Sequence, residues 1–162
     1  MIGCPMKMPR RQFFGVAGTL ALALAPQARA AGAVLPPAQS LADELALALR
    51  RRQPLVVMVS LEGCPFCRVA RDSYLSPLRL EGQVPVVQVD MRSMAAVLGF
   101  RREKLNHEDL VRLWRVKVAP TVLFFGTDGK EIAERLEGGY IADFYGAYLE
   151  QRLQHARATL AN

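Results

Sequence analysis

Apolar and polar positions alternate along the chain with two clear periods, and each period marks an element. In "SLADELALALRRR" (40–52), Leu41, Leu45 and Leu49 recur at helical spacing; Ser40 is placed to cap the helix, with Asp43 and Glu44 in its first turn. "PLVVMVSL" (54–61) is a continuous, valine-rich apolar run, the pattern of a strand buried on both faces. A helix is predicted from Cys64 to about Leu75, broken by "SPL". "VPVVQVDM" (84–91) is a second central strand. Residues 92–106 show no clear period and read as a mixed insertion. "HEDLVRLWRV" (107–116) reads as a helix with Leu110, Leu113 and Trp114 on one face and Asn106 as its cap. "TVLFFG" (121–126) is a strand, Asp128-Gly129 is a hairpin turn, "EIAERLEG" is the returning strand, and "YIADFYGAYLEQRLQHA" is a closing amphipathic helix.

The order is therefore helix, strand, helix, strand, helix, strand, strand, helix. The first part alternates as parallel βαβ units do and the end is an antiparallel hairpin, which predicts an α/β fold with a mixed sheet. A length of 162 residues suits one domain with a real core.

The first 30 residues have a different pattern. "MKMPRRQFF" is basic, "GVAGTLALALA" is a short apolar run, and "ARA" precedes "AGAV". This is the order of an export signal, with a cut near Ala30. The run is short of the ~20 residues a membrane span needs; an uncleaved anchor is the alternative. Arg10-Arg11 before Phe13-Phe14 fits a twin-arginine signal, and general secretion fits equally. Residues 31–39 read as a flexible lead and 40–157 as the domain. The expected location is the periplasm.

The signal also distorts the charge. It holds four of the 21 basic residues and no acid, which leaves 17 basic against 15 acidic residues in the remainder. With no basic cluster interleaved with aromatics, a nucleic-acid partner is not expected.

Cys4 falls in the signal, so only Cys64 and Cys67 remain, in "EGCPFC". A close pair in an exported protein is expected to be oxidised or cycling. At a strand-to-helix junction the first cysteine meets unpaired backbone N–H groups, which favour a thiolate, and the second sulfur returns beside it after nearly one turn. Pro65 sits where a helix tolerates its missing N–H. Cys64 is then the attacking thiolate and Cys67 the resolving thiol. Structural zinc needs four ligands, and the remainder adds only His107 and His155, whose spacing fits no zinc pattern. No metal is expected. Copper held by the two thiols and a pair of inert core cysteines are the alternatives.

The run from "PLVVMVSLEGCPFC" through "KVAPTVLFFGTDGKEI" to the last helix resembles the thioredoxin superfamily over about residues 40–155. The resemblance implies a thioredoxin fold: a central mixed sheet of about four strands flanked by helices on both faces, here with an insertion at about 92–106. It also implies disulfide exchange. Pro120 matches the family's cis-proline, whose geometry turns the backbone at Ala119 toward the sulfurs so that an extended substrate can pair there. Pro65, Phe66, Ala119 and Thr121 are the expected substrate contacts.

Two departures from the family pattern stand out. Many thioredoxins carry a buried acid six residues before the first cysteine, where this chain has Met58, and a tryptophan where it has Gly63. Glu62 is the nearest acid in sequence, expected on the exposed loop. Pro65-Phe66 is closer to the Pro-Tyr of glutaredoxins than to the Gly-Pro of thioredoxins, and implies a potential between about −270 and −120 mV. "LEGGYIAD" (136–143) is similar to the glutathione-holding segment of glutaredoxins, or is simply a turn before the last helix. The insertion is similar to that of exported thioredoxin-like proteins of bacterial sulfur oxidation and cytochrome maturation; Phe100 or His107 could shape a partner groove there or simply pack.

The expected activity is thiol–disulfide exchange with protein substrates by a monomer whose only cofactor is its own Cys64–Cys67 disulfide, with a membrane reductase as electron source. The alternatives are a copper carrier or assembly factor without turnover, and a glutathione-dependent glutaredoxin.

Overall fold

A computed structural model describes Met1, residues 34–139 and residues 144–161. The expected signal segment and the end of "LEGGYIAD", residues 140–143, lie outside the described residues. The elements are α1 (Leu41–Arg50), β1 (Leu55–Ser60), α2 (Pro65–Val69), α3 (Ser76–Leu80), β2 (Val86–Asp90), β3 (Ala96–Leu98), β4 (Lys104–Asn106), α4 (His107–Leu113), β5 (Thr121–Phe125), β6 (Leu136–Glu137) and α5 (Tyr145–Ala161). A four-stranded mixed sheet runs in the order β2-β1-β5-β6. β1 pairs parallel with β2 and antiparallel with β5, and β5 pairs antiparallel with β6. This is the mixed sheet flanked by helices that the sequence implied.

The unbroken valine run follows from burial on both faces. Val56 and Met58 of β1 join Val122 and Phe124 of β5 on one face, packed against Cys67, Ala70 and Leu75 and against Leu149 and Leu153 of α5. Leu55, Val57 and Val59 join Leu123 and Phe125 on the other, against Leu41 and Leu45 of α1 and Leu110 of α4. Each fully buried side chain of this kind contributes about 1.5–3 kcal/mol, so the alternation divides one strand between two cores.

Several elements differ from their sequence patterns. "SPL" does not break the helix: Ala70–Leu75 winds as a π-helix, and α3 carries on to Leu80. The Ser76 N–H reaches back to the Arg71 carbonyl, a widened turn that makes room for the Pro77 ring against the preceding turn. The segment at 92–106 folds as an antiparallel hairpin, β3–β4. α4 ends at Leu113, which is exposed rather than facing the core. Asn106 caps α4 in a reciprocal capping box with Asp109. The turn after β5 has Asp128 and Gly129 at positive φ, but the returning strand is only two residues long, preceded by a lone bridge from Phe125 to Glu131. α5 continues to Ala161, past the expected domain end.

The lead expected to be flexible is, over its described part, fixed. Leu35 and Ala38 are buried, the Ala38 N–H donates to Gln88 O at 2.8 Å, and the Gln88 N–H donates to Pro36 O at 2.9 Å. The lead thus extends the sheet beyond β2, because Leu35 packs into the first core and Ala38 into the second. His107 locks the arrangement. It is 1 % exposed, with Nδ1 accepting the Asp90 N–H at 3.1 Å and Nε2 lying 3.0 Å from Ala38 O. The accepted bond puts the ring proton on Nε2, which donates to Ala38. His107 therefore packs and does not shape a groove.

Candidate active site

The end of β1 turns through Gly63, whose φ of +74° favours glycine. The Cys64 N–H donates to Leu61 O at 3.2 Å, and this turn delivers Cys64 as the N-cap of α2. Its Sγ accepts the Cys67 N–H at 3.1 Å, as a capping side chain does, and Pro65 occupies the first turn. Cys64 and Cys67 form a disulfide with their Cα atoms 5.2 Å apart. The two sulfurs differ in access: Cys64 is half-buried, while Cys67 is 1 % exposed and packs in the first core. Attack from outside can reach only Cys64.

One flank of the disulfide is the loop before β5. The Ala119–Pro120 peptide is cis, and Ala119 O lies 3.8 Å from Cys64 Sγ. The Gly138 N–H donates to Pro120 O at 2.7 Å, which ties this loop to the end of β6. A Cβ at Gly139 would lie 3.0 Å from Phe66 Cβ and 3.5 Å from Pro120 Cγ, so Gly139 sits close against both. Phe66 is 56 % exposed, and Pro65 is also exposed. Thr121 differs from expectation. It is fully buried, its hydroxyl donates to Val118 O at 2.8 Å, and its backbone is paired with both Val59 and Glu137. It shapes the loop from within and offers a substrate no free edge.

The other flank is a groove of about 980 Å³ lined by Cys64, Cys67, Arg68, Arg71, Asp90 and Arg92 among others. Arg71 is paired with Asp72 at 2.9 Å. Met58, where a buried acid was to be sought, is fully buried in the same core as Cys67, and Glu62 is exposed at the groove's rim. The sequence reading missed Gly139, Asp90 and the arginines. Only the glycine pair 138–139 carried a signal, read there as part of a glutathione-holding segment or as a turn. Among the described residues no group of three or more His, Cys, Asp or Glu side chains could hold a metal ion.

Residues 41–153 match the model of the thioredoxin-like domain family. The chain belongs to that family. In structure it is similar to a DsbH oxidoreductase, at 19 % identity over 82 % of this chain and 91 % of that one, with a TM-score of 0.51. It is also similar to a thioredoxin from Thermus thermophilus, at 24 % identity over 75 % and 86 % of the two chains and a TM-score of 0.49, and to the Fasciola hepatica thioredoxin, at 20 % identity over 73 % and 98 % and a TM-score of 0.48. No curated protein matches the chain in sequence. Carried on this thioredoxin-like domain, the Cys64–Cys67 pair gives the chain a thiol–disulfide redox function, that of a thiol–disulfide oxidoreductase.

Proposed function

We propose that the protein is exported to the periplasm and exchanges disulfides with protein substrates, as a monomer supplied with electrons by a membrane reductase. In the reducing direction the Cys64 thiolate attacks a substrate disulfide and forms a mixed disulfide; the departing substrate sulfur takes the electron pair. Cys67 then attacks Cys64 Sγ, the Cys64–substrate bond breaks, and the Cys64–Cys67 disulfide forms as the substrate leaves with two thiols. The oxidising direction is the reverse. Ala119 and Pro120 border the path of an extended substrate, with Phe66 beside it as an exposed apolar contact.

The observation that carries this reading is the unequal pair: Cys64 half-buried, its sulfur accepting the Cys67 N–H at 3.1 Å, and Cys67 buried behind it. A sulfur already held by a backbone donor at a helix start is favoured as an anion once the bond is reduced. The export reading draws on the basic, apolar and small-residue order of the first 30 residues.

The test is a C67S variant, which forms mixed disulfides and cannot resolve them. Expressed with its own export segment, it should accumulate reductant-sensitive adducts with periplasmic proteins. Capture no greater than that of the double variant Cys64→Ser/Cys67→Ser would refute the exchange reading.

A further inference from the structure

Resolution of the mixed disulfide sets a chemical requirement that the pair alone does not meet. Cys67 must lose its proton, yet burial opposes formation of a thiolate there. The side of the sheet beneath it is apolar at Val56, Met58 and Val86. Toward the disulfide the same face turns polar: Ser60 of β1 stands opposite Asp90 of β2, and Gln88 lies two residues before it. All three line the groove onto which Cys67 opens.

Two details set Asp90 apart. Its carboxylate is held, with Gln88 Nε2 donating to Oδ1 at 2.6 Å, and its backbone N–H is fixed by His107 at 3.1 Å. The Gln88 Oε1 is buried and has no hydrogen-bond partner among the described residues. A groove of about 980 Å³ lined by such groups has the room and the polar partners for bridging water.

We propose that Asp90 accepts the Cys67 proton through water in this groove. The inference rests on the exchange reading above. In the resolving step the proton passes from Cys67 Sγ by way of water to the Asp90 carboxylate. The thiolate electron pair forms the bond to Cys64 Sγ, and the Cys64–substrate bond breaks with its electron pair leaving on the substrate sulfur. The Asp90 proton then returns to solvent or to that sulfur. The reverse reaction uses the protonated carboxyl as the donor. The other charged groups facing the groove are Glu62, Arg68, Arg71 and Arg92. The arginines stay protonated and cannot accept a proton, and His107, behind β2, has both ring nitrogens engaged. Glu62 is exposed on the loop and serves as the control.

The experiment uses the reduced full chain and one equivalent of 5,5′-dithiobis(2-nitrobenzoate), followed by stopped flow. The first thionitrobenzoate release reports attack by Cys64. The second reports displacement by Cys67, and its leaving group needs no proton. D90N keeps an oxygen to accept from Gln88. It should leave the first release unchanged and slow the second by about 100-fold near neutral pH, the scale of general base catalysis. The second release in D90N should also rise in proportion to hydroxide from pH 5 to 8, where the wild type is flatter. D90E should restore much of the rate, and E62Q should match the wild type. A second release in D90N with wild-type rate and pH profile would overturn the assignment and leave the exchange reading standing. A first release in the wild type no faster than that of a peptide thiol would overturn both.

Discussion

Replacing His107 with phenylalanine should unpin the lead from the body of the domain. The imidazole is 1 % exposed and satisfies two backbone groups at once, accepting from the Asp90 N–H at 3.1 Å and donating to Ala38 O at 3.0 Å. Phenylalanine fills a similar space and serves neither group. A buried polar group left without a partner costs about 1–3 kcal/mol. Ala38 is buried, so its carbonyl carries the full penalty; Asp90 is half-buried beside the groove, so its N–H recovers part of its loss from water. The sum is about 2–4 kcal/mol, a large share of the 5–15 kcal/mol typical of a domain, and corresponds to a fall in Tm of about 10 °C. Urea unfolding followed by circular dichroism and by fluorescence of Trp114, the single tryptophan, measures it. Trp114 packs against Phe125 with ring centroids 5.1 Å apart and so reports the core that the lead covers. Hydrogen exchange at the Ala38 and Gln88 amides, both bonded between lead and β2, should accelerate more than exchange in β1 and β5. A loss below about 0.5 kcal/mol with unchanged protection at those amides would refute the reasoning, because it would mean that neither stranded group needed the ring.

Two further predictions concern pH. Asp43 is held below its ordinary value of 3.8 first by the Ser40 hydroxyl and then by the Arg102 guanidinium, which donates to it at 2.6 Å. Its contribution is therefore present above about pH 3.8 and is lost as pH falls through the lowered value; D43N should flatten stability against pH below about pH 3.8, and an acid limb identical to the wild type in urea midpoints would contradict this. Burial, with a smaller effect from Tyr74, pushes the Tyr145 hydroxyl above its ordinary value of 10.0. Its contribution is full below about pH 10.0 and is lost as pH rises beyond it, so Y145F should remove part of the alkaline loss while costing little at pH 7, where the hydroxyl has no partner among the described residues. The difference between ultraviolet titrations of the folded wild type and of Y145F should show the Tyr145 ionisation displaced above pH 10, and a difference centred at pH 10 would contradict this.

The parts of the fold that were legible in the sequence are those whose patterns are local. The valine runs of β1 and β5 are continuous because both their faces are covered, and Ser40 and Asn106 cap their helices as their positions implied. The C-x-x-C pair could be placed for the same reason, since a strand end and a helix start fix it within a few residues. What escaped depends on partners distant in sequence. β3 has only three residues, too few for a period, and its Leu98 N–H is held by Gln39 from the lead. Pro77 reads as a breaker until the turn before it widens. Thr121 was taken for a substrate contact because it follows Pro120, but a strand paired on both sides leaves it no free edge. Asp90 has the look of any polar residue at the end of a strand; only the pairing of β2 with β1, which sets Asp90 opposite Ser60 just before the turn to Cys64, brings it and the cysteines to one groove.

The two flanks of the disulfide are unlike in chemistry, and that difference suits the two things exchange has to move. On the Pro120 side the surroundings are backbone and apolar carbon: Ala119 O near Cys64 Sγ, with Gly139 and the exposed Phe66 beside it. An extended polypeptide can bind there without stripping water from a charge, a loss that binding would have to offset. On the groove side, Asp90, Gln88 and three arginines hold polar positions around Cys67. If the substrate entered by that side it would displace the water through which the buried thiol can lose its proton. On the exchange reading proposed above, entry beside Pro120 keeps the groove open to water, so that the bond to the substrate changes on one side of the sulfurs while the proton moves on the other. An apolar residue at Met58 is compatible with this division, because a base at the strand ends reaches Cys67 from the solvent side and no charge has to be buried beneath the pair.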